Sequence, residues 1–539
     1  MYSTGSSIGS HSSRDSVHSD RCLLPDEVLT LRDRFRLSLG VDREQWGKHL
    51  VREPRLVLTA VRSHRPAGMI KNTVFMTAST VARLLTGVVL FVWMARVWGA
   101  ETFGVFIYPF TVTSLAVMLV DYGFSLQLVR DIGKAPRDVQ AALHGKLGAK
   151  ILLAVLLVLG ALALTPTLIS DGYTRSLTWL LLLAAILNSF AVFLNLPFRG
   201  LGRFHEETKV VVLSNVLHFL LVGLIVGVGG GPVAATLGFV VSRALYLMMS
   251  LSAYQRLVGA VDWRGLDFRG IPRELTSGLP FGVFVALGTI YFQIDTILVQ
   301  RFLGAQAVGF YQAAIRILMA ALVLPDVLSN VYLPALAGSA SDPSTSLRLG
   351  ARLTRHLLMS GVLGLAALSI LGGWMTGVLY GSGYQTVSTL LPFLGVVLLL
   401  RYLASSYGLL LTVADRQLVR TLIVGSTCLV SILFNLILIP RAGLRGAVTA
   451  SIFTHGFLVL TYLGFVARAY GTIFLEWRSW ALIVLGALLV IMVSRDIHPT
   501  SAVVTMIALF TICVGLRWSE IRGLVRRLAP QHSPVARPS

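Results

Sequence analysis

Fourteen apolar runs, parted by short polar or glycine-bearing turns, follow one another along this chain. They lie at about 72–95, 104–124, 147–166, 176–197, 210–228, 232–253, 276–301, 308–333, 354–377, 385–411, 419–439, 446–467, 478–494 and 499–517. A helix needs roughly 20 apolar residues to cross a bilayer, so each run predicts one transmembrane helix. The last two runs are short. The fold class expected is an all-α polytopic membrane protein.

One turn occurs twice. Arg96, Gly99, Ala100, Gly104 and Asp121 recur 205 positions later as Arg301, Gly304, Ala305, Gly309 and Asp326, with Phe106 opposite Tyr311. Over 94–121 and 299–326, 7 of 28 positions are identical, and each copy stands where one apolar run ends and the next begins. Six runs separate the copies, so both enter the membrane in the same sense. That predicts two parallel six-helix repeats, related by an axis along the membrane normal. The domain organisation expected is a basic cytoplasmic tail (1–70), a first lobe (71–253), a cytoplasmic linker (254–275), a second lobe (276–470), an appended hairpin (471–519) and a second basic tail (520–539).

Composition supports a membrane protein. Hydrophobic residues make up 55% of the 539 and charged residues 13%, against roughly 25% charged in soluble domains. The net charge of +21 fits either nucleic acid or an anionic membrane surface, and its placement decides. With the N-terminus inside, the inner segments hold 36 Lys and Arg, the outer segments six, and four lie within the runs. That asymmetry follows the positive-inside rule and sets the basic tails against anionic inner-leaflet lipid, leaving no role for nucleic acid. Residues 26–63 read either as short basic surface helices or as a solvated tail. Without a signal peptide at Met1, the first run is expected to be an uncleaved anchor. Cys22, Cys428 and Cys513 lie too far apart for a disulfide framework, and no metal or cofactor spacing is visible.

Catalytic constellations are absent from the sequence. The longest outer loop, 166–176, carries Asp171 as its only acid, whereas lipid-dependent glycosyltransferases need carboxylates or His in sizeable loops. Gly229–Gly231 read as a tight turn, and Asn188, Asn195, Asn215 and Asn435 as interhelical hydrogen-bond formers.

Charges inside the runs carry more information, since each costs about 2.5–3.5 kcal/mol at mid-bilayer and so faces protein or a wet cavity. Arg83, Arg243, Arg316 and Arg401 are the four arginines at that depth. Asp295 and Arg316 are expected to meet across a helical hairpin. The pair either fixes packing or opens when an anion or a proton competes for it. Asp121 and Asp326, at equivalent repeat positions, read either as an inner gate or as solvated interface acids.

Lys71-Asn72-Thr73, the run Ala95 to Gly104, Asp121-Tyr122-Gly123-Phe124 and Val129-Arg130 resemble polysaccharide biosynthesis/O-antigen flippase family proteins. So do Tyr291 to Asp295, Gly304-Ala305, Gly309-Phe310-Tyr311 with Ala314, and Asn435 to Pro440 with Gly443 to Ala447. The resemblance spans about 70–470 and implies the multidrug/oligosaccharidyl-lipid/polysaccharide exporter superfamily, with two six-helix lobes around a central cavity. It implies a flippase that moves an undecaprenyl-diphosphate-linked oligosaccharide from the inner to the outer leaflet of a bacterial cytoplasmic membrane. Such a substrate needs positive charge at depth, and Arg83 and Arg316 are the first candidates to bind its diphosphate, with Arg243 and Arg401 beside them. Polysaccharide polymerases or other assembly enzymes are the expected protein partners. A drug or cation antiporter of the same superfamily would favour acidic cavity residues. A glycosyltransferase or polymerase would need longer outer loops, and a scaffold would rest on the basic tail.

Overall fold

The computed structural model describes residues 66–470, apart from 136–137, 262, 264, 267–268, 340–341 and 415. Both tails and the last two apolar runs lie outside the described residues. Twelve α-helices make up almost all of what is described. They are α1 (Pro66–Asp121), α2 (Phe124–Lys134), α3 (Val139–Leu168), α4 (Gly172–Gly200), α5 (Phe204–Gly227) and α6 (Pro232–Leu257), then α7 (Ile271–Leu303), α8 (Ala305–Ala321), α9 (Val323–Gly338), α10 (Pro343–Tyr380), α11 (Gln385–Val413) and α12 (Gln417–Tyr470). Ten helical segments are long and apolar enough to cross a membrane, and no strand occurs among the described residues. The first twelve expected runs all fall on these helices.

Glycine sets the breaks. α1 is interrupted at Gly99 (φ 76°, ψ 171°) and α12 at Gly443 (φ 57°, ψ −136°), so each contains two helices meeting at a kink. Gly304, which ends α7, has φ 83° and ψ −176°, nearly the conformation of its repeat partner Gly99. A Cβ strongly disfavours that region, so this turn is written into the sequence by glycine.

Leu220, Leu224, Met248, Trp374, Leu422, Leu429 and Leu460 stand exposed on the outer faces of the helices. In water this would be an aggregation hazard; against lipid it costs nothing. Because lipid removes much of the hydrophobic drive between helices, close packing at small residues holds them together. In the N-terminal half α1 packs on α4 and α5, and α4 on α6. In the C-terminal half α10, α11 and α12 pack in series, with α7 on α12. α1 and α8 join the halves. There Gly104 abuts the Ala305 carbonyl and Gly309 the Ala100 carbonyl, each so closely that a methyl group would overlap the backbone. The repeated turns therefore pack on one another reciprocally.

The same end of the molecule carries two further ties, from Arg96 to the Val378 carbonyl and from the Tyr384 hydroxyl to the Ala95 carbonyl (2.7 Å). At the opposite end the halves meet through Lys146, which bridges Asp131 (2.9 Å) and Glu274 of α7 (3.1 Å). Gln127 donates to Ser277 (2.7 Å) and Glu274 (3.3 Å), and Gly123 lies against Phe281 and Gly282.

Candidate functional site

A polar cavity of about 100 Å³ lies between the halves, mostly in the C-terminal one. Phe110 of α1 closes it on one side, and Asp295, Tyr311, Arg316, Arg401 and His455 supply its chemistry from α7, α8, α11 and α12.

Asp295 anchors the floor. Its Oδ2 accepts from the Tyr311 hydroxyl (2.9 Å) and the Ser451 hydroxyl (3.1 Å). Its Oδ1 accepts from the Asn435 amide (2.8 Å) and the Ser431 hydroxyl (3.4 Å). Four donors from α8 and α12 nearly fill the acceptor capacity of a carboxylate, with no cation among them. The Asp295–Arg316 ion pair expected from the sequence is therefore not formed. Depth along the helices was comparable, but hydroxyl and amide groups on α8 and α12 reach the carboxylate instead.

Arg316 turns the other way. Its guanidinium lies 4.2 Å from the Phe91 ring centroid, across the interface on α1, and its Nη1 approaches the Met319 sulfur at 3.8 Å. Its Nε has no hydrogen-bond partner. Arg401 lies over the Phe292 ring at 3.8 Å and interacts electrostatically with Tyr291, Asp326 and Asp295. Cation–π contacts of this kind are worth about 2 kcal/mol when desolvated, less than a buried guanidinium loses on leaving water. Among the described residues neither arginine forms an ion pair, so both face the cavity with donor capacity to spare.

The other two deep arginines lie elsewhere. Arg83 is exposed and Arg243 half-buried; they are electrostatic neighbours of each other and of Tyr246 in the N-terminal half, and neither lines the cavity. Arg96 and Arg301 are exposed near the repeated turns, away from it.

Asp121 and Asp326, expected either as an inner gate or as solvated interface acids, have unlike surroundings. Asp121 receives the Lys150 ammonium (2.6 Å) and the Ser189 hydroxyl (2.6 Å), both from its own half. Lys150 is 1% exposed and flanked by Phe190 and Phe193, so this pair is an internal brace. Asp326 is exposed in the first turn of α9, a favourable place for an acid at a helix N-terminus. The contacts between halves at that end belong to Lys146, Gln127 and Glu274. Lys146 and Lys150 were visible as a pair four apart at the start of an apolar run, which places both on one helix face. Nothing in the sequence named Glu274 as the neighbour of Lys146.

A second cavity, about 340 Å³ and lined only by apolar side chains, opens beside the first. Val88, Val89 and Val92 of α1 face Ile317, Ala320 and Ala321 of α8 across it. Arg316 lines the polar chamber, and the next residue, Ile317, lines the apolar groove.

These helices, the paired glycine turns and the polar chamber between two halves define a multi-pass membrane protein of transporter-like fold. Residues 69–339, half of the chain, match the profile of the polysaccharide biosynthesis protein family, and the chain belongs to that family. A putative O-antigen transporter of Shigella dysenteriae is 23% identical over 404 residues, 73% of this chain and 99% of that protein. The teichuronic acid biosynthesis protein TuaB of Bacillus subtilis (strain 168) is 25% identical over 315 residues, 56% of this chain and 62% of its own length. The amylovoran biosynthesis protein AmsL of Erwinia amylovora is matched over 57% of its length, so the chain spans less than two thirds of these last two relatives. Among solved structures, the lipid II flippase MurJ in an inward closed conformation superposes over 83% of this chain and 99% of its own, with a TM-score of 0.65 at 15% identity. An inward-facing multidrug resistance MATE transporter covers 74% of this chain with a TM-score of 0.59 at 17% identity. At these identities the superpositions establish the fold.

Proposed function

We propose that this protein is an alternating-access flippase that moves an undecaprenyl-diphosphate-linked oligosaccharide from the inner to the outer leaflet for cell-surface polysaccharide assembly. The observation that carries the reading is the pair Arg316 and Arg401, two guanidinium groups that line one cavity and form no salt bridge among the described residues. A diphosphate entering a low-dielectric chamber needs such charge, and guanidinium matches phosphate geometry. Arg83 and Arg243 form a second cationic station in the N-terminal half, which the headgroup meets on its way. The sugars cross through the polar chamber while the isoprenoid tail remains in lipid, with the apolar groove beside Arg316 as its nearest protein surface. Asp295 is the coupling group: a proton arriving there would dismiss donors from α8 and α12 together and loosen the C-terminal half.

In this reading the two halves are lobes of six spans each, followed by a two-helix hairpin, with both termini cytoplasmic. The Gly104–Gly309 end is the outer gate and the Lys146–Glu274 end the inner gate. The family relationship and the MurJ-like fold support the transport class. Basic tails held at anionic inner-leaflet lipid, and polymerase or assembly partners, complete the proposal. A cation antiporter fits less well, because the one carboxylate lining the chamber is already saturated by donors.

Arg316→Ala and Arg401→Ala provide the test. Outer-leaflet lipid-linked sugar, read by an impermeant lectin, should fall at least tenfold while the precursor accumulates inside. Unchanged surface polymer in both variants, with normal protein levels, would sink the reading.

A further inference from the structure

One buried group in the chamber has no task in that scheme. His455 is 7% exposed and lines the cavity with Asp295, Arg316 and Arg401. Its Nδ1 lies 2.7 Å from the Ser451 backbone carbonyl, which can only accept, so Nδ1 carries the proton. Nε2 is then a bare lone pair, and it has no partner. The Ser451 hydroxyl meanwhile donates to Asp295, so one residue orients both the carboxylate and the imidazole.

Charged and titratable groups surround this ring, with Cys428 and Tyr462 of its own α12 among them as electrostatic neighbours of Tyr291. From α7 come Tyr291, whose ring centroid is 5.4 Å away, and Asp295; from α8 come Tyr311 and Arg316; from α11 comes Arg401, its electrostatic neighbour. Asp326 reaches Arg401 electrostatically but does not line the cavity. With both arginines charged and Asp295 ionised, the lining holds a single net positive charge. A diphosphate diester carries one negative charge on each phosphorus. The chamber is thus one positive charge short of its proposed ligand. Counting Asp326 only widens the deficit. In a low-dielectric site that mismatch is costly, and the bare Nε2 is where it can be relieved.

We propose that His455 takes up a proton when the diphosphate binds, becoming a third cationic donor to the ligand, and returns it on release. The proton comes from solvent and forms the Nε2–H bond; the Nδ1–H to Ser451 stays in place, and no other bond changes. Without ligand, burial away from water and then the charge of Arg401 favour the neutral ring. With ligand, the phosphate oxygens reverse that balance. Headgroup binding and proton binding are then linked at one residue, separate from Asp295. This inference rests on the diphosphate reading of the same chamber.

The test is calorimetric titration of the full-length protein with a short-chain prenyl-diphospho-glucose, whose diester phosphates do not titrate near neutrality. Repeating it in buffers of different ionisation enthalpy counts the protons. Wild type should take up about one proton per ligand, and across the pH range in which it does so Kd should weaken about tenfold for each rise of one pH unit. His455→Gln should bind more weakly, with no proton uptake and a flat pH profile. Wild-type binding with no proton uptake overturns the proposal whether or not the Gln variant folds, as does full uptake in His455→Gln. Loss of the diphosphate reading looks different: Arg316→Ala and Arg401→Ala would then bind the probe as wild type does.

Discussion

Gly104 and Gly309 occupy reciprocal places in the seam between the halves, the first against the Ala305 carbonyl and the second against the Ala100 carbonyl. Each is the repeat counterpart of the other, so a single duplicated turn supplies both faces of one contact. Backbones can approach this closely only where no Cβ intervenes.

Valine at either position should therefore force the seam apart. Spin labels at Val97 and Phe302, both exposed near the repeated turns, would report it as a longer distance in Gly309→Val than in the parent. Surface polysaccharide should drop at the same time. A distance distribution that does not move would show that the seam tolerates a side chain and is not the closed contact described.

Asp121 and Lys150 should respond unequally to neutralisation. The lysine side chain is 1% exposed and the aspartate 41%. Asp121→Asn strands an ammonium in the helix core, which costs about 3–5 kcal/mol. Lys150→Met removes the buried charge and leaves the acid with water and Ser189, a loss of about 1 kcal/mol. Thermal unfolding in detergent should show Asp121→Asn melting well below Lys150→Met; the reverse order would contradict the burial asymmetry.

The start of α10 carries a pH dependence of its own. Asp342 caps this helix, its carboxyl held down at about 2, first by the Thr345 hydroxyl, then by the Ser344 hydroxyl and the Thr345 backbone N–H. Because the folded value lies below that of a free carboxyl, the cap contributes fully above the ordinary aspartate range. It is lost as pH falls towards about 2. Hydrogen exchange at Ser344 and Thr345 should stay protected down to about pH 3 and accelerate below it. In Asp342→Ala it should be fast throughout. Equal protection in the two proteins at neutral pH would remove Asp342 as the cap.

Much of the fold was legible in the chain because lipid imposes simple rules. Each apolar run must close its own backbone hydrogen bonds as a helix, so run length located the helices of the described residues. The repeat was legible too: Gly99 and Gly304 share an unusual backbone conformation, and that requirement left a glycine at both positions. Arg83, Arg243, Arg316 and Arg401 were picked out by their places within the apolar runs. Their partners were not. Depth says how far along a helix a side chain lies but not which way it faces, and a rotation of one helix decides whether Arg316 meets Asp295 or Phe91.

Sequence alone thus determined the helices, the duplicated turn and the set of charges that had to be sheltered from lipid, since each follows from local composition and the cost of burying polar groups. Tertiary structure alone decided which charges share a chamber. It placed Arg316 and Arg401 there with Asp295 and His455, left Arg83 and Arg243 in the other half, and gave the contacts between halves to Lys146 and Glu274. Those choices depend on helix rotation and crossing, set by side chains that meet only when segments more than a hundred residues apart pack together. The turn at Gly99 fixes where two helices join; the packing of Gly104 on Ala305 fixes how the halves meet.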